Sequence, residues 1–144
     1  MLGARATSAA VISMLILVVI FGFARLVFDV QVRGSLLGFF GVCGAFSLMT
    51  AGYGLLIAAL GRTPEAARGL AIFVTLLMVM LGGAWIPAFV FPAWLQKATL
   101  LVPTRWAVDG MDAMTWRGFG FSEAVLPITV LLGFAALFGG VAVW

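Results

Sequence analysis

Five acids, Asp29, Glu65, Asp109, Asp112 and Glu123, are the whole supply of carboxylates in this 144-residue chain, and it has no histidine. General acid–base chemistry needs a positioned proton acceptor near the reacting group. No His or Cys stands near these acids in sequence to serve with them. Cys43 is the single cysteine and sits inside an apolar run, where it reads as a small hydrophobe and cannot form an intrachain disulfide. Ser13 and Ser47 are hydroxyls without a visible base, so neither reads as an activated nucleophile. With no His and no Cys cluster, no transition-metal site is expected. The charges that remain are arranged for pairing. Arg25 and Asp29 are spaced i, i+4, and Arg105, Asp109 and Asp112 are spaced i, i+4, i+7, so each set shares one face of a helix. No GxxxxGK[ST] occurs, so the chain has no phosphate-cradling loop of the usual kind. Catalysis and cofactor chemistry are not expected.

The elements that must carry these residues are set by composition. The chain is 65% hydrophobic and 9% charged, with a mean hydropathy of +1.25. A soluble domain carries roughly 25% charged residues. So few charges cannot cover a soluble surface, and the class that fits is an all-α integral membrane protein. The net charge of +3 does not point to nucleic acid, because the cations are scattered singly between apolar runs and form no patch.

Four runs are long enough to cross a bilayer: about 8–29, 36–60, 67–86 and 124–144. The first follows Arg5, is too long for a signal-peptide core and leads to no clean cleavage site, so it is expected to be retained. The second belongs to an uncharged run from Gly34 to Gly61, in which Gly34 and Gly38 are spaced as GxxxG, and Ser47 and Ala51 repeat the small-xxx-small pattern. Such spacing lets helix backbones approach closely, and general glycine enrichment of membrane helices gives it equally well. The connection Gly61–Gly69 reads as a loop, with Thr63-Pro64-Glu65 as the start of the third span.

Residues 87–123 are too many for a turn and too apolar for a solvated loop. Pro87, Pro92 and Pro103 each forbid a continuous helix through them. Between Pro92 and Pro103, the residues Trp94, Leu95, Ala98, Leu101 and Val102 share one face, and Gln96, Lys97 and Thr99 the other. After Pro103, Ala107, Met111 and Met114 form an apolar face beside the charged one. Short helices are therefore expected at about 92–102 and 104–116. Trp85, Trp94, Trp106 and Trp116 lie in or beside this stretch, and tryptophan prefers the membrane–water interface. The expectation is a broken re-entrant or interfacial helical hairpin before the last span, dipping into or lying on one membrane face.

The order Gly82-Gly83, Pro87, Pro92-Ala93-Trp94-Leu95, Pro103-Thr104-Arg105-Trp106-Ala107 and Asp109-Gly110-Met111 resembles the end of type-2 ATP-binding-cassette (ABC) exporter permeases. Residues 61–67 resemble that family's short cytoplasmic connection between its fourth and fifth spans, and Leu2-Gly3-Ala4-Arg5 the lead-in to its third. Val102 departs from the pattern, since many members have a polar residue before this proline. The resemblance covers about the last two-thirds of a six-span permease, so it implies either a late-starting fragment or a shortened relative.

The resemblance implies a multi-pass permease subunit of the plasma (inner) membrane. It would be paired with a second permease copy, the same or different, and with separate ATPase subunits, and would export its substrate. It assigns hairpin roles to Gly82, Gly83, Pro87, Pro92, Trp94, Leu95, Pro103, Trp106, Asp109 and Gly110. It makes Arg5, Arg62, Glu65 and Arg68 the candidate contact with the ATPase. A greasy path, for which Phe39, Phe40, Phe46, Tyr53 and Phe73 are candidates, suits a lipophilic substrate better than a charged sugar. The alternative function is a non-catalytic structural or assembly subunit, or an inactive permease fragment. Orientation carries a conflict. The family places 1–7 and 61–68 in the cytoplasm, with Arg5, Arg62 and Arg68, whereas Arg25, Arg33, Lys97, Arg105 and Arg117 fall on the other side, against the positive-inside rule.

Overall fold

The computed structural model describes the backbone of residues 1–144 and every side chain except that of residue 2. Six α-helices follow one another: α1 Leu2–Phe28, α2 Leu36–Leu60, α3 Pro64–Leu81, α4 Ala93–Ala98, α5 Pro103–Thr115 and α6 Phe121–Val143. Single 3₁₀ turns at Ala88–Val90 and Thr99–Leu101 flank α4. Helices α1, α2, α3 and α6 are long and apolar enough to cross a membrane. The 25 residues of α2 reach about 38 Å, more than the roughly 30 Å hydrocarbon core.

Local chemistry fixes the ends. The Ser35 hydroxyl caps α2 by accepting from the Gly38 N–H at 3.1 Å, and Thr63 caps α3 by accepting from Ala66 N–H at 3.2 Å. Pro64 takes the first position of α3 and Glu65 its first turn, where an acid suits the helix dipole. Four boundaries differ from the sequence reading, the first being the start of α3 at Pro64 rather than near 67, so that the second part of the connection read over 61–69 is helical. Helix α1 begins at Leu2 rather than near residue 8; the short polar segment before the apolar run is itself helical, with the Thr7 and Ser8 hydroxyls turned back to donate to the Gly3 and Ala4 carbonyls rather than drawing the backbone out of the helix. Helix α3 stops at Leu81 rather than near 86, because Gly83 turns the chain at φ 86°, a conformation that costs a residue with a Cβ. Helix α6 starts at Phe121, ahead of the expected 124, and runs on through Pro127.

Helix α2 is the central rod. Gly38 lies against Ala124, Gly41 against Ile128, and Gly52 against Ala135 and Gly139, so α6 runs parallel to α2 along most of its length. Met14 faces Ser47 and Phe21 stacks edge-on to Phe39 with ring centroids 4.7 Å apart, so α1 runs antiparallel. Helix α3 touches α2 more lightly, through the Tyr53 hydroxyl at Thr75 Oγ1 (3.1 Å) and Ala71 O (3.3 Å). The buried core joins α2, α5 and α6: Phe39, Val42, Cys43, Ala45 and Met49 against Ala107, Ala113 and Met114, with Ala124 and Leu131. No residue of α3 is buried.

Two faces result. The loop face holds the N-terminus of α1, the α2–α3 connection and the C-terminus of α6. The hairpin face holds the α1–α2 connection, the end of α5 and the start of α6.

Candidate functional site

The segment between α3 and α6 is assembled by its prolines. Pro87 opens the first 3₁₀ turn, Pro92 opens α4, and Pro103 occupies the first position of α5, where its missing N–H costs nothing. Val102, held extended by the proline after it (φ −101°, ψ 121°), separates the two short helices. The helix expected over 92–102 is thus shorter: α4 ends at Ala98 and gives way to a 3₁₀ turn before Val102.

The register shows how deep the segment goes. Gly34, just ahead of α2, and Gly38 within it lie against Met114, while Gly110 lies against Val42, so α5 runs antiparallel to α2. At 1.5 Å per residue, the start of α5 at Pro103 lies about 10 Å below Gly110, towards the middle of the bundle. The end of α3 meets it there: the Thr104 hydroxyl donates to the Met78 carbonyl, and Gly82 leaves the room that Thr104 fills. Of the two arrangements expected from sequence, the α5 arm is therefore re-entrant. Its tip is sewn to α3, and its upper end is sewn to the α1–α2 connection by Gly34 N–H to Met114 O (2.8 Å) and Ser35 N–H to Phe119 O (3.2 Å).

The two arms bury differently. Helix α5 buries Pro103, Ala107, Gly110, Ala113 and Met114, whereas α4 buries nothing. The apolar face read for 92–102 points outward, with Trp94 70% and Leu101 80% exposed. Trp85 and Trp116 are exposed too, and the Trp106 indole N–H donates to Leu100 O at 2.8 Å. Leu95 is half-buried, and Gln96 holds the turn before α4 by donating to Phe91 O at 2.8 Å. Exposed indoles around a helical segment suit a membrane interface.

The polar face of α5 carries the charge. Arg105 pairs with Asp109 at 2.7 Å. Asp112, read from sequence as part of the same set, pairs instead with Arg117 at 3.0 Å. Both pairs line a crevice of about 340 Å³ whose other wall is Gly82, Gly83, Pro87, Ala88, Phe89 and Gln96. The spacing revealed the charged face. Thr104–Met78 and Gly34–Met114 carried no signal, because each joins groups far apart in sequence through a backbone carbonyl.

The candidate path residues divide. Phe39 is a core residue, 4% exposed, and with Phe40 lines a small cavity of about 200 Å³ between α1 and α2. Tyr53 is spent on α3, Phe46 packs against the core, and Phe40 and Phe73 face outward. The large groove lies elsewhere, between α1 and the α2–α6 pair towards the loop face. It holds about 590 Å³ because Ala6, Ala10, Gly44, Ser47, Ala51, Gly52, Ala135 and Gly139 are small. The GxxxG pair and the Ser47/Ala51 pair thus part company: the first meets α5 and α6 closely, and the second leaves a gap to α1.

Arg5, Arg62, Glu65 and Arg68 are all exposed at the loop face. Glu65 and Arg68 share a shallow surface pocket with Pro64, Gly69 and Ile72, and among the described residues neither forms an ion pair. Leu2, first of the lead-in quoted above, has its side chain outside the described residues. Of the five cations that the sequence reading put on the other side, Arg105 and Arg117 are held by acids among the described residues.

Comparison with known proteins gives a consistent family. The family model described as "ABC-2 type transporter" matches residues 1–116, from the start of α1 past the end of α5. The linearmycin resistance permease protein LnrN of Bacillus subtilis (strain 168) is 29% identical over 92 residues, 64% of this chain and 24% of that relative. The chain thus spans under half the length of the curated relative it matches. No solved structure matches significantly.

Proposed function

Because this chain belongs to the ABC-2 type transporter family and is a multi-pass membrane protein, we propose that it forms part of the permease of an ATP-driven exporter. The observation that carries this reading is the family match over residues 1–116, which covers the first three long helices and both short helices of the broken hairpin. The cell's plasma membrane is its place, with the loop face cytoplasmic and the hairpin face outward.

The partner is an ATP-binding subunit, which meets the chain at Arg5, Arg62, Glu65 and Arg68. These residues are exposed at one end of the bundle and form no ion pair among the described residues. A second permease copy, the same or a homologue, covers the outward apolar surfaces of α1 and α3. Closure of the ATPase pair rocks the spans. The hairpin moves with α2 and α3 because hydrogen bonds join it to Met78 and to residues 34 and 35. The chain itself performs no bond chemistry: its acids stand in ion pairs or at exposed helix ends, and no base accompanies its hydroxyls.

A lipophilic substrate suits the groove beside α1, whose walls are mainly apolar and small. The relative's name, a linearmycin resistance permease, fits export of such a compound. The test is co-purification of the full-length gene product with its candidate ATPase, followed by ATP hydrolysis with and without candidate lipophilic compounds. Stable association and stimulated hydrolysis are expected. An ATPase that neither associates nor crosslinks to cysteines placed at 62–68 would leave the structural-subunit alternative.

A further inference from the structure

We propose that the crevice beside α5 binds the headgroup of a lipid carrying both a phosphate and a primary ammonium. The inference rests on the membrane reading alone and not on transport. Charge is scarce in this chain, with eight cations and five acids in all, yet two of each line this one cavity of about 340 Å³. That volume is within the roughly 300–1,000 Å³ of small-molecule sites. The crevice runs down the face of α5 from Arg117 near the hairpin face to Arg105, two residues from the deep end of that helix. Charges held at membrane depth are costly unless they are paired or serve a site.

The pairing is incomplete. Arg105 spends Nε on Asp109, but its Nη1 is buried without a hydrogen-bond partner. Buried donors are normally satisfied; the Arg105 side chain is 16% exposed and lines the crevice, so a small rotation would let an acceptor there complete this guanidinium. Each aspartate engages only Oδ2, so Oδ1 of Asp109 and of Asp112 accepts no hydrogen bond among the described residues. Their side chains are 45% and 38% exposed, open enough to be reached. Two arginines and two aspartates sum to no charge, which favours a zwitterion over an anion or a cation. The phosphate belongs at Arg105 and the ammonium at the two Oδ1 atoms. A primary ammonium donates hydrogen bonds to those oxygens; a quaternary one has none to give. Phe89 in its wall is exposed and apolar, as are Trp85 and Ile86 just before Pro87 in the chain, which suits the acyl chains of such a lipid.

The test uses the purified full chain in nanodiscs of phosphatidylglycerol doped with either phosphatidylethanolamine or phosphatidylcholine. Native mass spectrometry then counts the retained lipid, with no nucleotide or ATPase present. Retention of the ethanolamine lipid about tenfold above the choline lipid is expected. The double substitution Asp109→Asn, Asp112→Asn should abolish that preference while circular dichroism shows the helices intact. A second arm offers soluble phosphoethanolamine to nanodiscs of phosphatidylglycerol alone. Binding in the lipid arm only assigns the site to a membrane lipid, and binding in both supports the same headgroup chemistry with dispensable tails. Equal retention of the two lipids by the wild-type chain overturns the proposal, whether or not the variant folds. Because no ATPase is involved, that failure would leave the transport reading untouched.

Discussion

The α2–α5–α6 core and the α1 and α3 flanks are built from the same greasy alphabet, yet they pack in opposite ways. In the core, Gly38, Ala45, Gly110, Ala113 and Ala124 bring backbones together, with Val42, Met114 and Leu131 filling what is left. On the flanks, Val19, Phe23, Leu26, Ile72 and Phe73 point away from the protein, each more than half exposed. In water this would be inside out. In lipid there is no hydrophobic drive between helices, so close approach of small residues and hydrogen bonds decide what is held. Close contact therefore belongs to the core, and the flanks are left for lipid or for other subunits.

The largest expected effect breaks the core. At Gly110 a Cβ would sit 3.0 Å from Pro127 and 3.1 Å from Val42, so Gly110→Leu must push α5 off α2 and α6. A loss of about 3 kcal/mol or more is expected, read as a collapse of the unfolding midpoint in detergent. Next comes the stitch between hairpin and flank. Thr104→Val keeps the shape but removes the donor to Met78 O, which should cost about 1 kcal/mol and speed hydrogen exchange around residues 78–83 and 103–106. The smallest effect has the opposite sign. Nothing lies within 4 Å of a Cβ at Gly44, on the groove side of α2, so Gly44→Ala should stabilise by about 0.5 kcal/mol through helix propensity. If Gly44→Ala destabilised as much as a change at Gly110, the contrast between tight core and open groove would fail.

The same contrast explains what could be read from sequence. Breaks were legible because prolines act locally: Pro87, Pro92 and Pro103 each start an element. The charged face of α5 was legible because helical spacing puts Arg105 and Asp109 together. The partners of α2 were not. That helix is apolar all round, so no stripe says which side meets α6 and which opens on the groove. Phe39 and Phe40 are neighbours of one type, yet the first packs on Phe21 and into the core while the second stays half-exposed. The turn from Asp112 to Arg117 also escaped, because it depends on how the end of α5 folds back at Gly118, where φ is 63°.

The central claim is that residues 92–117 form a hairpin opening on one membrane face while the connection at 61–63 opens on the other. Single cysteines at Lys97, Arg117 and Thr63, in a Cys43→Ala background, can be offered to a membrane-impermeant thiol reagent in sealed vesicles. The account predicts that positions 97 and 117 react from one side and position 63 only from the opposite side. Labelling of 63 and 97 from the same side, or of 97 and 117 from opposite sides, would contradict it.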